Sequence, residues 1–303
     1  MGSDVTPNDR PDGLDRRGLF HLAVVYVVWG STYLAIRVAV RDGAGFPPFT
    51  LALLRVSVAG AILLGWGALR GARLRLTRPE AMVLAGSGVL MWLGGNGLVT
   101  WAEKHADSGL AALLVAVMPI WGAMLEALLD RKRPSFKLAG SLALGFLGVG
   151  VLTWPILRHG VAADVVSVAA LLLAPFWWAM GSLWFSRRRP DLDIRVMSGW
   201  QHLAGAVAFL IVSRLLNEPL PTPTPQAWGA LVYLTLFGSV FAFTSYITVL
   251  RLLPMQVAMT YAYANPVIAV ILGRLILGEP FTAWTAAGSG LVLAGIAGVF
   301  RNK

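Results

Sequence analysis

Eleven polar and aromatic side chains stand near the middle of long apolar runs: Trp29, Ser31, Thr32, Trp92, Asn96, Trp121, Trp178, Tyr246, Tyr261, Tyr263 and Asn265. Aromatic walls carrying a few hydroxyl and amide groups suit a ligand with an apolar body and a small polar head. Two pairs share a helical face at four-residue spacing, Trp92 with Asn96 and Tyr261 with Asn265. Pro119 and Pro266 lie in the same runs. Each removes a backbone hydrogen bond and pushes on the preceding turn. In lipid such a break is tolerated where neighbouring helices or a water-filled cavity satisfy the freed carbonyls. Breaks at matching positions in two halves of a chain point to a solute site, which makes the two prolines candidate hinges. Aromatic residues in any helical bundle also pack against one another, so a share of the eleven is expected to serve packing alone.

The missing chemistry narrows the reading further. With no cysteine, the chain has neither disulfides nor thiolate metal ligands. No Asp or Glu is expected at mid-depth: Glu126 and Asp130 close the fourth run, Glu80 opens the third, and Glu103 belongs to a short polar turn. Without a buried carboxylate, obligatory proton exchange lacks its usual relay, leaving His202 as the weaker candidate. A facilitative, pH-insensitive cycle is therefore expected, with proton-driven exchange as the alternative. Hydrolysis inside a bilayer needs a Ser–His pair, an Asp pair or metal ligands. His202 is the single histidine expected within the membrane and no HExxH occurs, so no enzyme, metal or cofactor is expected. Phosphorylated cargo would favour a central cluster of cations, and none is present. Arg55, inside the second run, reads as an arginine that snorkels to the interface or pairs with carbonyls.

The elements that must hold these residues are membrane helices. The chain is 57% hydrophobic and 13% charged, with a mean hydropathy of +0.69, which excludes a soluble globular domain. Ten spans follow from the apolar runs, over residues 19–40, 49–69, 80–101, 107–129, 136–154, 163–184, 195–215, 226–250, 254–277 and 282–300. The net charge of +10 invites a nucleic-acid partner, but its distribution rejects one. Eighteen Lys and Arg fall on the side of the N-terminus and six on the other, the bias that places both termini in the cytoplasm. The expected fold is thus an all-α, multi-pass inner-membrane protein with a cytoplasmic tail over 1–18, mobile to Gly18. Anionic lipid headgroups suit its basic face. The Pro-Thr stretch 219–225 reads as an extended outer loop. Gly290, Ala294 and Gly298 form a packing stripe, internal or between copies; a monomer is expected.

The chain also repeats itself. Placing Pro119 on Pro266 pairs Ala111 with Ala258, and both halves close on a glycine-rich span. Each half holds five spans, and an odd number makes the second half enter the membrane from the opposite side. Two inverted repeats are expected, over 19–154 and 163–300, with the site between them.

Trp29-Gly30-Ser31 followed by Leu54-Arg55 resembles the N-terminal pattern of EamA-type carriers of the drug/metabolite transporter superfamily. The Ser108–Pro119 helix, and Pro266 followed by Gly278-Glu279-Pro280 and Gly288, resemble the motif that closes each EamA repeat. The resemblance covers residues 19 to 300. One departure is Asp130-Arg131-Lys132-Arg133-Pro134, which stands where the family usually has a Gly-Glu pair. The high aromatic content is most similar to the YddG-like exporters of aromatic amino acids. The resemblance implies export of aromatic and other apolar amino acids by alternating access. Other small metabolites, such as purines or non-aromatic amino acids, are the alternative cargo.

Overall fold

In hydrocarbon every backbone N–H and C=O needs a partner within the chain, and helices supply one segment by segment. The computed structural model describes residues 14–158, 164–277 and 282–302, and every regular element among them is helical. The first half holds α1 (Arg16–Val40), α2 (Pro48–Leu69), α3 (Arg78–Ala102), α4 (Ser108–Val115), α5 (Met118–Asp130) and α6 (Phe136–Arg158). The second holds α7 (Val165–Arg188), α8 (Ile194–Leu215), α9 (Pro225–Leu252), α10 (Met255–Ala258), α11 (Tyr261–Leu277) and α12 (Ala283–Arg301). Among the described residues, nine helical runs are long and apolar enough to cross a bilayer. The expected tenth, 254–277, is broken by a tight turn into α10 and α11, as the fourth is into α4 and α5.

Helix starts follow capping chemistry. Asp15 accepts from the amides of Arg17 and Gly18, so α1 begins at Arg16 and takes in residues expected to belong to the mobile tail. Residues 1–13 of that tail, and Gly278-Glu279-Pro280, lie outside the described residues. Thr77 and Glu80 form a capping box on α3, and Thr224 caps α9. Both α3 and α9 change to π winding for eight residues, over Leu90–Gly97 and Leu234–Phe241. Such wider turns leave carbonyls without their usual partner and recur at functional sites.

Small residues set the helix pairs, as expected where lipid removes the hydrophobic drive between helices. α6 runs along α12, and α2 along α8. A Cβ on Gly295 of α12 would lie 2.5 Å from the amide nitrogen of Gly145 on α6, and one on Gly148 would lie 2.5 Å from that of Val292. Gly60 on α2 meets Leu203 and the carbonyl of Gly199 on α8. The stripe Gly290, Ala294, Gly298 does not act as one face. Gly298 meets Ser141, whereas Gly290 faces open space, and the packed face runs through Gly288, Gly295 and Gly298.

The two ends of the bundle are built differently. At one end Gly18 touches Leu252 and Leu253, Arg187 pairs with Asp130 at 2.7 Å, Gln256 donates to Glu126 at 2.6 Å, and Asn302 meets Ser141. Both described chain ends lie there. At the other end Arg37 binds the α3–α4 turn, and Glu218 accepts from the amides of Phe49 and Thr50 at the start of α2. The Pro-Thr loop is extended there, with Thr222 and Thr224 donating to the carbonyls of Gly45 and Ala44.

Gly295→Val should lower stability by about 1–3 kcal/mol through overpacking against Gly145. Gly290→Val should stay within ~0.5 kcal/mol of wild type, as an open surface position does. Thermal unfolding in detergent compares the two.

Candidate functional site

A small cavity lies between α1, α2, α3, α4, α5, α7 and α11. Its wall from α1 is Trp29, Thr32, Tyr33 and Ile36, which recur at three- and four-residue spacing and so share a face. α3 adds Trp92, Gly95, Asn96 and Val99 from its π-wound stretch onward. α7 adds Ala174, Pro175 and Trp178, and α11 adds Tyr261 and Asn265.

Three rings, Trp29, Trp178 and Tyr261, close the side of the cavity nearer the chain termini, with Tyr246 packed behind them. Trp29 lies 4.9 Å from Tyr261, 5.0 Å from Tyr246 and 5.3 Å from Trp178, centroid to centroid. Trp29 and Trp178 meet edge to face, as do Trp29 and Tyr261, the arrangement favoured by ring quadrupoles. The indole N–H of Trp29 donates to the carbonyl of Gly238, in the π-wound part of α9, at 3.0 Å. Tyr246 shares a hydrogen bond with Ser182 at 2.8 Å, and the Tyr261 hydroxyl reaches the Met118 sulfur at 2.9 Å.

Arg55 enters the same cavity from α2 and is buried. Its Nε donates to the Ser239 hydroxyl at 2.8 Å and one terminal nitrogen donates to Asn96 Oδ1 at 3.3 Å. Its guanidinium carbon stands 5.2 Å from the Trp92 ring centre, within cation–π range. Gly238 leaves room for it, since a Cβ there would lie 3.0 Å from a guanidinium nitrogen. Among the described residues no carboxylate forms an ion pair with Arg55. The reading of a snorkelling side chain is therefore corrected: the α2–α8 contact and the α9 π-wound stretch enclose the residue before it can reach water. Among the described residues, several buried polar atoms around the cavity also have no hydrogen-bond partner, including the indole nitrogens of Trp92 and Trp178 and both amide atoms of Asn265. The wall thus offers one cation and several donors to whatever occupies it.

This architecture has known counterparts. The sequence matches the EamA-like transporter family twice, over residues 16–154 and 166–301. The chain belongs to the EamA-like transporter family. A relative in Escherichia coli K12, described as the uncharacterized inner membrane transporter YedA, is 34% identical over 88% of this chain and 86% of its own. A probable terminal-alkyne amino-acid exporter of Streptantibioticus cattleyicolor is 28% identical over 92% of each chain. A probable amino-acid metabolite efflux pump of Salmonella typhimurium is 25% identical over 93% of this chain and 94% of its own. A solved crystal structure, 23% identical, shares the fold with a TM-score of 0.76 over 93% of this chain and 95% of that one. The protein is accordingly a multi-pass inner-membrane transporter of the EamA family.

Of the eleven residues singled out in the sequence, seven line the EamA cavity: Trp29, Thr32, Trp92, Asn96, Trp178, Tyr261 and Asn265. The other four lie elsewhere. Ser31 turns to the Tyr233 hydroxyl on α9. Trp121 packs on Phe176 at 5.2 Å. Tyr246 sits behind the ring cluster, and Tyr263 donates to the Leu142 carbonyl on α6 at 2.8 Å. Of the adjacent tryptophans, Trp178 faces the cavity, while Trp177 packs on Gly94. Sequence reasoning missed Tyr33, Met118 and Pro175. Tyr33 had a usable signal, four residues beyond Trp29. His202 lies outside the cavity, buried between Trp92 and Phe243, with Nδ1 2.7 Å from the Ser198 carbonyl.

The expectation concerned carboxylates at mid-depth; nearer the Arg37 end, just beyond α3, one carboxylate is nonetheless buried. Glu103, assigned to a polar turn, is fully buried, and neither of its carboxylate oxygens has a hydrogen-bond partner among the described residues. Ala102 and Ala106 beside it are buried too, because Arg37 draws the turn inward by donating to the carbonyls of Glu103 and Lys104 at 2.6 and 2.8 Å. Burial pushes the Glu103 carboxyl well above the usual carboxylate range, against the pull of Arg37.

The prolines behave differently from one another. Between α4 and α5 the chain makes a tight turn at Ala116–Val117, and Pro119 sits in the first turn of the new helix, where its missing N–H costs little. In the second half the tight turn falls at Met259–Thr260, and Pro266 lies inside α11. Pro266→Ala should therefore raise thermal stability, by at most the ~3 kcal/mol that separates the two residues in a helix interior. Pro119→Ala should leave it nearly unchanged. Paired melting curves in detergent decide it.

Proposed function

We propose that this EamA transporter exports amino acids and related metabolites that join an apolar or aromatic body to a carboxylate. The observation that carries the reading is Arg55, a buried guanidinium in an aromatic-walled cavity with no acidic partner among the described residues. A cargo carboxylate would complete its coordination by charge-assisted hydrogen bonds, which are about twice as strong as neutral ones. The rings of Trp29, Trp178 and Tyr261 would cover the apolar body, and Asn265 would take a remaining polar group. The names of the relatives in Streptantibioticus cattleyicolor, a terminal-alkyne amino-acid exporter, and Salmonella typhimurium, an amino-acid metabolite efflux pump, support this cargo class.

Transport would proceed by alternating access as a carrier and not as an enzyme. The halves 19–154 and 163–300 would act as inverted repeats. Matched π-wound stretches in α3 and α9 support this, as does the pairing of α2 with α8 and of α6 with α12. The tight turns before Pro119 and Tyr261 would let α5 and α11 pivot, and the Arg37 end would face outward with both termini in the cytoplasm. The 18-to-6 charge bias supports that orientation.

The test is counterflow of labelled tryptophan into proteoliposomes, with adenine as the comparison. Arg55→Met should cut tryptophan exchange about 10- to 100-fold, the loss expected for a hydrogen bond to a charged group. The thermal midpoint should change little, since Met fills the space of the side-chain stem while a buried charge and its two hydrogen bonds are lost together. Tryptophan exchange at the wild-type rate by folded Arg55→Met, or a wild type that carries adenine and not tryptophan, would refute the reading.

A further inference from the structure

Glu103 is the single fully buried Asp or Glu among the described residues. An ionised carboxylate without hydrogen-bond partners is strongly disfavoured in such a place, whereas a neutral carboxyl is tolerated. The nearby cation does not resolve the problem. Arg37 spends its guanidinium on the backbone carbonyls of Glu103 and Lys104, at the negative end of the α3 dipole, and lies 3.8 Å from Asp107. The position of this clasp gives it a role. Tyr33 and Val99 line the cavity, and Arg37 and Glu103 follow them by four residues each, one turn nearer the bundle end. Glu103 and Arg37 thus form the layer between the cavity and that end.

We propose that Glu103 is a proton-binding site that operates this layer, neutral while the Arg37 end is closed and ionised once it opens. The proton is then a second ligand of the transporter. When Glu103 loses it, the Arg37 donors turn from the backbone carbonyls to the new carboxylate. The C-terminus of α3 is released from α1, and the cavity gains access to that end. One proton selects between two arrangements of the same groups, which is the requirement for a switch.

Among the described residues the groups facing Glu103 are few. α1 presents Tyr33 and Arg37; the α3–α4 turn presents Lys104, His105 and Asp107; α4 carries no ionisable group; and α2 carries Arg55 alone, in the cavity. α11 carries Tyr261 and Tyr263, with Arg274 farther along its sequence. The sign follows from linkage. The acid binds its proton more tightly in the closed form, so acid pH favours closure. That advantage is lost as pH rises through the raised closed-state pKa.

The inference rests on membership of the transporter family and not on the cargo, and its test needs no cargo. Asp42, on the loop after α1, and His105, on the α3–α4 turn, are exposed and line one surface pocket at the Arg37 end. The chain has no native cysteine, so Asp42→Cys with His105→Cys places one spin-label pair between that loop and that turn and removes His105 as a competing titrant. Pulsed dipolar distances are read in lipid nanodiscs from about pH 5 to about pH 9, spanning the ordinary and the raised carboxylate range. In the otherwise wild-type chain the longer-distance population should grow about two-fold or more as pH rises. In Glu103→Gln, which mimics the neutral form, the short distance should persist at every pH, while Glu103→Asp should keep the response. Difference infrared spectroscopy on the wild type gives a second readout that needs no variant: the neutral-carboxyl stretch should fade as the distance lengthens. An unchanged pH response in Glu103→Gln would overturn the proposal. So would a wild type whose distance or carboxyl band does not move.

Discussion

The indole N–H of Trp29 reaches the carbonyl of Gly238 because α9 is π-wound there and leaves carbonyls without the usual i+4 donor. That bond joins the first helix of one half to the third of the other, across 209 residues of sequence. It fixes the plane of the indole, and the indole fixes the placement of Trp178, Tyr246 and Tyr261, all within 5.3 Å of it. The aromatic side of the cavity therefore depends on a polar contact. In a medium without water, a freed carbonyl is a strong demand, and satisfying it orders the apolar groups around it.

Arg55 obeys the same constraint with opposite sign. A guanidinium has five donors and no acceptor, and the chain commits two polar side chains to it, Ser239 and Asn96. Gly238 serves twice, giving its carbonyl to Trp29 and the space of its missing side chain to Arg55. The cation and the aromatic wall are thus placed by one short stretch of α9. Its π winding shifts the register at the point where both must be met.

The sequence carried the site unevenly, for physical reasons. Trp29, Thr32, Tyr261 and Asn265 were legible because each face repeats at helical spacing and mid-depth polar residues are rare in lipid. The helical class was legible from hydropathy for the same reason. Arg55 was not, since its fate is decided by Ser239, 184 residues away. Glu103 was missed because five consecutive polar or small residues look like a solvent-facing turn, and only Arg37, 66 residues earlier, pulls them under. Ser31 misled through composition: its hydroxyl pairs with Tyr233 on α9 instead of facing the cavity. Pro266 misled through analogy with Pro119, because the break in the second half falls before Tyr261.

The glycine contact between α6 and α12 bears on how the protein is made. Gly148 and its contact Val292 on α12 are separated by 144 residues, and synthesis at ~5–20 residues per second delivers the second roughly 7–30 s after the first. For that interval α6 stands in the membrane with its closest-packing surface unmatched, as α2 does while it waits for α8. The first half is therefore inserted with that seam open. Lipid meets the seam until the second half arrives and must then leave it.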